Sequence, residues 1–377
     1  MNRSPFLTLF LGVGLLATGF LVGYGFQSRA SQSARLQGQP TPTPASTPSP
    51  PLVKGLHSST DGNLLAWTGI WDRSSRAGIW VFDVKRKRAR LTPSPLGWQD
   101  YVWQWRADGR ALLVTREKIP RATADAKAGL YQTPVDRASL ASGDVQSMTP
   151  SLPTGEKLIS GTYAPDGTLL IKTRREPKNL FLAQDGQATL LDSAAQSYGQ
   201  NRAVKQNGKT IIYAVRDVLT SQTGAVALYR IENSRAVQLT PDLQDVAWSY
   251  VSPSARYLVV AREDSESGDY VWTLYEIGAQ KARELKSQTV PADAISVYWS
   301  PDEKQILGAA GEKLWTISIP SLTVKQIGKR GDWNADDATW IGNENSIAVV
   351  AGGILWEVNA TSGQATKLWE FPKQFWD

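Results

Sequence analysis

The 377-residue chain has no cysteine and only one histidine. Without cysteine there is no disulfide, thiolate metal site, thiol nucleophile or lipid-bearing cysteine. The lone His57 excludes any site built on two histidines and leaves one base for a Ser-His-Asp triad. Acidic residues are missing from the first 50 positions, which hold three Arg. Of the overall charge of +6, only +3 therefore belongs to residues 51–377, from 38 basic and 35 acidic groups. A nearly neutral region of that size carries no nucleic-acid signal. With 41% hydrophobic and 20% charged residues the composition is globular.

Charge is also absent between Arg3 and Arg29, and Phe6 to Phe26 form an apolar run of 21 residues. About 20 residues at 1.5 Å rise cross a hydrocarbon core, whereas a signal-peptide core takes about 7–15. Residues 5–26 are therefore expected to be a transmembrane signal-anchor helix behind a cytoplasmic tail, 1–4. Ser28-Arg29-Ala30 leaves signal cleavage as the alternative, and either reading exports the remainder of the chain. Residues 27–51 are a Ser/Gln-rich and then Pro/Thr-rich linker, whose PTPTPASTPSPP favours an extended, semi-rigid spacer. The expected location is a single-pass membrane protein with residues 52–377 on the extracytoplasmic side, periplasmic or cell-surface.

Residues 52–377 are repetitive. A short turn recurs at Asp61-Gly62, Asp108-Gly109, Asp166-Gly167, Asn207-Gly208, Ser254-Ala255, Asp302-Glu303 and Asn343-Glu344. Asp-Gly and Asn-Gly supply the positive φ angles of tight hairpins. Each turn precedes an apolar run, such as Ala111–Thr115 or Tyr257–Ala261. Every unit then carries an aliphatic-aromatic pair: Ile79-Trp80, Leu130-Tyr131, Leu180-Phe181, Leu228-Tyr229, Leu274-Tyr275, Leu314-Trp315 and Leu355-Trp356. A fourth segment often ends in a Leu-Thr-Pro-like motif, as in Leu91-Thr92-Pro93 and Leu239-Thr240-Pro241. Four short strands in roughly 40–50 residues define a propeller blade, and blades need neighbours to bury both faces. The fold expected for 52–377 is all-β, a β-propeller of seven four-stranded blades.

Trp105-Arg-Ala-Asp-Gly109, Tyr163-Ala-Pro-Asp-Gly167 and Trp299-Ser-Pro-Asp-Glu303 resemble the W-S-P-D-G repeat of TolB-like, WD-repeat-like propellers. That resemblance implies a propeller working as a periplasmic partner of envelope complexes. TolB-like proteins carry an α/β domain before six blades, whereas seven units and no such domain stand here. Similar blades gate prolyl-oligopeptidase-type peptidases, but the chain has no Gly-x-Ser-x-Gly elbow.

In a propeller, the loops joining strands two and three and those joining successive blades share one face. Second strands here end in Arg116-Glu117, Arg175-Glu176, Arg216-Asp217 and Arg262-Glu263. These are read either as solvated ion pairs between blades or as an arginine rim that recognises carboxylates. Trp71, Trp98, Tyr198 and Trp333 are expected in loops of the same face, capping inter-blade gaps or stacking on a ligand. Lys85–Arg90 is placed in the hairpin between the third and fourth strands of blade 1. The acidic groups Asp264-Glu266-Asp269 and Asp336-Asp337 lack EF-hand spacing, and His57 reads as a surface residue. No catalytic residue, metal or cofactor is assigned. The expected function is a non-catalytic protein-protein interaction scaffold of the envelope. The alternatives are a cell-wall polysaccharide-binding module using loop Trp residues, and a hydrolase or lactonase with a central-channel site.

Overall fold

The computed structural model describes residues 52–70, 77–119, 128–140, 145–173, 179–193, 199–218, 225–264, 266–267, 269–290, 296–310, 313–328, 335–342 and 345–371. Among them no helix is long and apolar enough to cross a membrane. Residues 5–26 and the linker lie outside the described residues.

The described residues form an all-β propeller of seven blades. Blade 1 is Leu52–Ser58, Leu64–Ile70, Gly78–Asp83 and Arg88–Pro93. Blade 2 is Trp98–Trp105, Ala111–Lys118, Gly129–Pro134 and Gln146–Ser147; blade 3 is Leu158–Tyr163, Leu169–Thr173, Leu180–Gln184 and Gln187–Asp192. Blade 4 is Arg202–Gln206, Lys209–Asp217, Val226–Glu232 and Arg235–Gln238; blade 5 is Val246–Val251, Tyr257–Glu263, Tyr270–Ile277 and Ala282–Val290. Blade 6 is Ser296–Trp299, Gln305–Ala310, Lys313–Ser318 and Val324–Ile327; blade 7 is Ala335–Ile341, Ser346–Ala351, Ile354–Asn359 and Ala365–Glu370. Each blade is an antiparallel meander in chain order. Gly199–Gln200 adds a short parallel strand to the inner edge of blade 5, pairing with Ser249 and Tyr250.

The recurring turns join first to second strands, and their chemistry explains the motif. In blade 1 the Ser59 hydroxyl donates to Asp61 (2.7 Å) and accepts from the Leu64 N–H (3.0 Å). Blade 6 repeats this with Ser300, Asp302 (2.7 Å) and the Gln305 N–H (2.9 Å). Gly62 and Gly109 take the positive φ that closes such a turn (66° and 63°). Blade 4 uses a tighter two-residue turn, with Asn207 and Gly208 both at positive φ between the paired Gln206 and Lys209.

The aliphatic-aromatic pairs lie on the third strands, where neighbouring side chains point to opposite faces. Leu130 packs between blades 2 and 3, and Tyr131 between blades 1 and 2. Leu274 packs between blades 5 and 6, and Tyr275 between blades 4 and 5. The aliphatic member thus reaches forward and the aromatic backward around the ring. The rule carries through closure, because Leu355 of blade 7 and Trp80 of blade 1 share one cluster. Second strands are continuously apolar because they are buried on both faces, as at Ala111–Val114. Fourth strands are largely exposed, and Lys85–Lys87 form an exposed turn in blade 1, while Arg88 and Arg90 of the same basic run belong to its fourth strand and not to the hairpin turn.

Among the described residues closure uses no strand exchange: blades 7 and 1 each own four consecutive strands. Side chains join them instead. Trp67, Trp80, Trp369 and Phe371 form one aromatic cluster, with Phe371 packed 5.7 Å from Trp67 and 4.7 Å from Trp369 between ring centroids. The turns of these blades also nearly touch, and a Cβ on Gly62 would run into the Gly342 backbone nitrogen.

Candidate functional site in the central channel

First strands of neighbouring blades contact one another around the ring axis, as blade 1 does with blades 2 and 7. They form the channel wall. One rung of that wall is fixed by pairing to the second strands. Ala66, Leu113, Leu170, Tyr213, Val259, Leu307 and Ala348 pair with His57, Gln104, Thr162, Arg202, Tyr250, Tyr298 and Thr339. One polar side chain from each blade stands at this level. All but Thr339 are half-buried.

Neighbours on the rung are coupled. Thr162 donates its hydroxyl hydrogen bond to Gln104 Oε1 (2.8 Å), which also accepts from the Tyr163 N–H (2.8 Å). The Trp105 and Trp340 indoles donate to the His57 and Tyr298 carbonyls of the preceding blades (3.1 and 3.0 Å). Asp337 sits two residues before Thr339 and faces the same way. Its Oδ1 accepts from the Tyr298 hydroxyl (2.9 Å) and the Ala338 N–H (2.9 Å), and its Oδ2 from the Leu56 N–H (2.6 Å). One carboxylate thereby ties the first strands of blades 6, 7 and 1 together.

Enclosure by protein shapes the charges. Burial pushes the Asp337 carboxyl up to about 6, against the four hydrogen bonds from Leu56, Tyr298, Ala338 and Gly55 that favour the anion. Burial, reinforced by the Asp337 charge, raises Tyr298 well above an ordinary phenol. Burial lowers His57 to about 4, only partly offset by its hydrogen bond to the Val102 backbone, so the imidazole is neutral at pH 7. His57 is a channel residue and not the surface residue expected. Arg202 is also lowered by burial, with partial compensation from Glu303, yet a guanidinium stays charged. Among the described residues no group of three His, Asp or Glu side chains is placed to hold a metal ion.

Of the residues singled out from sequence, those that are described lie elsewhere. Arg116 is only 8% exposed; it grips Asp100 of its own blade with two hydrogen bonds (2.6 and 2.8 Å) and lies over Tyr131. Arg216, buried likewise, is 2.9 Å from Asp192 of blade 3 and lies over Tyr229. These two are internal fasteners and not an open rim, because the aromatic beneath each leaves the guanidinium a dry bed next to a carboxylate. Arg262 donates to Thr273 (3.2 Å) and is half-buried. Trp98 begins a strand and is buried, in place of the loop position expected. Trp71, Arg175, Tyr198 and Trp333 lie outside the described residues. On the face of the blade-to-blade loops, Leu96 and Ile119 are exposed (64% and 38%), and the Ile119 N–H bonds to the carbonyl of Gly97, next to Leu96 in the chain (3.0 Å).

No family model and no curated protein matches the chain. Solved structures do. An oligogalacturonate lyase from Vibrio parahaemolyticus has a TM-score of 0.54 at 10% identity, covering 81% of this chain and 87% of that one. The β-propeller domain of the Trilobed protease from Pyrococcus furiosus, with an open velcro topology, has a TM-score of 0.53 at 11% identity, covering 86% and 99%. An uncharacterized protein from Listeria monocytogenes has a TM-score of 0.54 at 10% identity, covering 87% and 96%. At such identities the likeness establishes the propeller fold alone. The similar proteins include enzymes.

Proposed function

We propose that this chain is a membrane-anchored, extracytoplasmic recognition scaffold: a rigid TolB-like ring, held off the bilayer by residues 27–51, that binds a protein of the cell envelope. The observation that carries this reading is the apolar pair Leu96 and Ile119. Both stand exposed on the face where interblade loops gather, and the Ile119 N–H bonds to the carbonyl of Gly97, the residue after Leu96. Apolar side chains held by a rigid sheet lose little entropy on docking, and they exclude water from a contact. The seven packed seams supply that rigidity. Membrane attachment is supported by the uncharged run from Phe6 to Phe26 and by the Pro-rich spacer after it.

The test is site-specific photo-cross-linking in cells. A cross-linking amino acid at Leu96 or Ile119 should give one defined protein adduct, while the same group at Lys87, exposed in a turn between third and fourth strands, should not. Deleting 27–51 should abolish the adduct and leave the propeller folded. Equal labelling from all three positions, or no adduct from Leu96 and Ile119, would refute the reading.

A further inference from the structure

The inner end of the seam between blades 4 and 5 carries polar groups that the fold does not use. Ala203 packs into the cluster of blades 3 and 4, so the neighbouring Arg202 turns toward blade 5. Val251 packs into the cluster of blades 4 and 5, so Ser249, two residues earlier, turns toward blade 4. Arg202 and Ser249 therefore face the same seam from its two sides. The Gly199–Gln200 strand covers the edge of blade 5 here, pairing Gly199 with Ser249 and Gln200 with Tyr250.

Ser249 is 1% exposed, and its hydroxyl has no hydrogen-bonding partner among the described residues. The Arg202 Nε is buried and equally unpartnered among them. The charge that bears on Arg202 is Glu303, and that carboxylate is already held by the Ser252 hydroxyl (3.1 Å), the Ser254 hydroxyl (2.7 Å) and the Ser254 N–H. Leaving buried donors unmade is costly, whereas a folded chain fills most of them. Arg116 and Arg216 show the fold's own habit, each guanidinium being set beside an aspartate. Arg202 has the donors without the aspartate.

We propose that the inner end of the blade 4–5 seam is a binding site for the carboxylate of a small organic acid, supplied by the Arg202 guanidinium and the Ser249 hydroxyl. A planar carboxylate matches the guanidinium fork and accepts the hydroxyl proton as a further hydrogen bond. The charge balance selects a monoanion. The rung holds one cation beside a neutral His57, and Asp337 adds a negative charge to the channel, which disfavours a phosphate dianion.

Full-length protein in detergent is titrated with benzoate at constant ionic strength, against sodium chloride, benzamide and inorganic phosphate, with the thermal unfolding midpoint as readout. Benzoate is expected to raise the midpoint saturably, and benzamide and phosphate to do no more than chloride. Arg202→Gln should weaken the apparent affinity about 10- to 100-fold, the scale of a hydrogen-bonded charge. Arg202→Lys, which keeps the charge and loses the fork, and Ser249→Ala should each weaken it by about tenfold. These milder variants carry the test if Arg202→Gln does not fold. The proposal is overturned by no response to benzoate, by an equal response to benzamide, by preference for phosphate, or by unchanged benzoate affinity in the variants.

Discussion

Asp337 in the first strand of blade 7 accepts a 2.6 Å hydrogen bond from the backbone N–H of Leu56 in the first strand of blade 1. The two residues are 281 positions apart, and their bond is part of what closes the ring. Replacing Asp337 by Ala leaves the Leu56 and Ala338 N–H groups without their acceptor. Two buried backbone donors at about 1–3 kcal/mol each predict a loss of about 2–6 kcal/mol. Urea denaturation of full-length protein measures it, and a shift no larger than that of a surface substitution would remove Asp337 from the closure.

Phe371 comes just after the last strand and is buried against Trp67 and Trp369. Phe371→Ala is expected to cost about 3–5 kcal/mol, the range for a large core aromatic. Trp103, 44% exposed at a bulge in blade 2, is the comparison, and Trp103→Ala should cost far less. Equal denaturation midpoints for the two variants would mean that aromatic packing does not hold blades 7 and 1 together.

Two turn glycines separate backbone strain from crowding. Gly62 and Gly167 both sit at positive φ (66° and 86°), but only the first meets a neighbouring blade. Gly167→Ala meets open space and should cost about 1 kcal/mol, the left-handed penalty alone. Gly62→Ala must also push back the Gly342 backbone and is expected to cost clearly more. A calorimetric comparison decides it, and an equal fall in midpoint would dismiss the close approach of the two turns.

His57 and Asp337 pull the pH dependence of stability in opposite directions. His57 falls from 6.5 to about 4 on folding, so between those values the unfolded chain binds the extra proton and stability rises with pH. Asp337 rises from 3.8 to about 6, so there the folded chain binds the extra proton and stability falls with rising pH. From about pH 4 to about pH 6 the two contributions oppose. His57→Gln should make the slope of stability against pH more negative over that window, and Asp337→Asn should make it more positive. Denaturation midpoints taken every half unit check this, and a slope unchanged in both variants would contradict it.

The turn positions and the seven aliphatic-aromatic pairs were legible because both are short-range. Ser, Asp and Gly satisfy a turn locally, and a period of two sends adjacent residues to opposite faces of a strand. The channel rung was not legible. Counting back four residues from Asp61, Asp108 or Asp302 finds His57, Gln104 and Tyr298, but the same count from Asn207 finds Ala203. The tighter turn of blade 4 moves the rung by one residue, to Arg202. Arg116 and Arg216 were misplaced for a related reason. An Arg next to an acidic residue reads as a surface pair, while their partners, Asp100 and Asp192, come from other strands.

Sequence by itself therefore determined the blade, its turns and its number, because each repeat must bury two faces against copies of itself. Tertiary structure alone decided which polar residues meet at the axis, how blade 7 meets blade 1, and which arginines are already paired. Those outcomes depend on turn lengths and bulges that set register, and on contacts between strands tens to hundreds of residues apart.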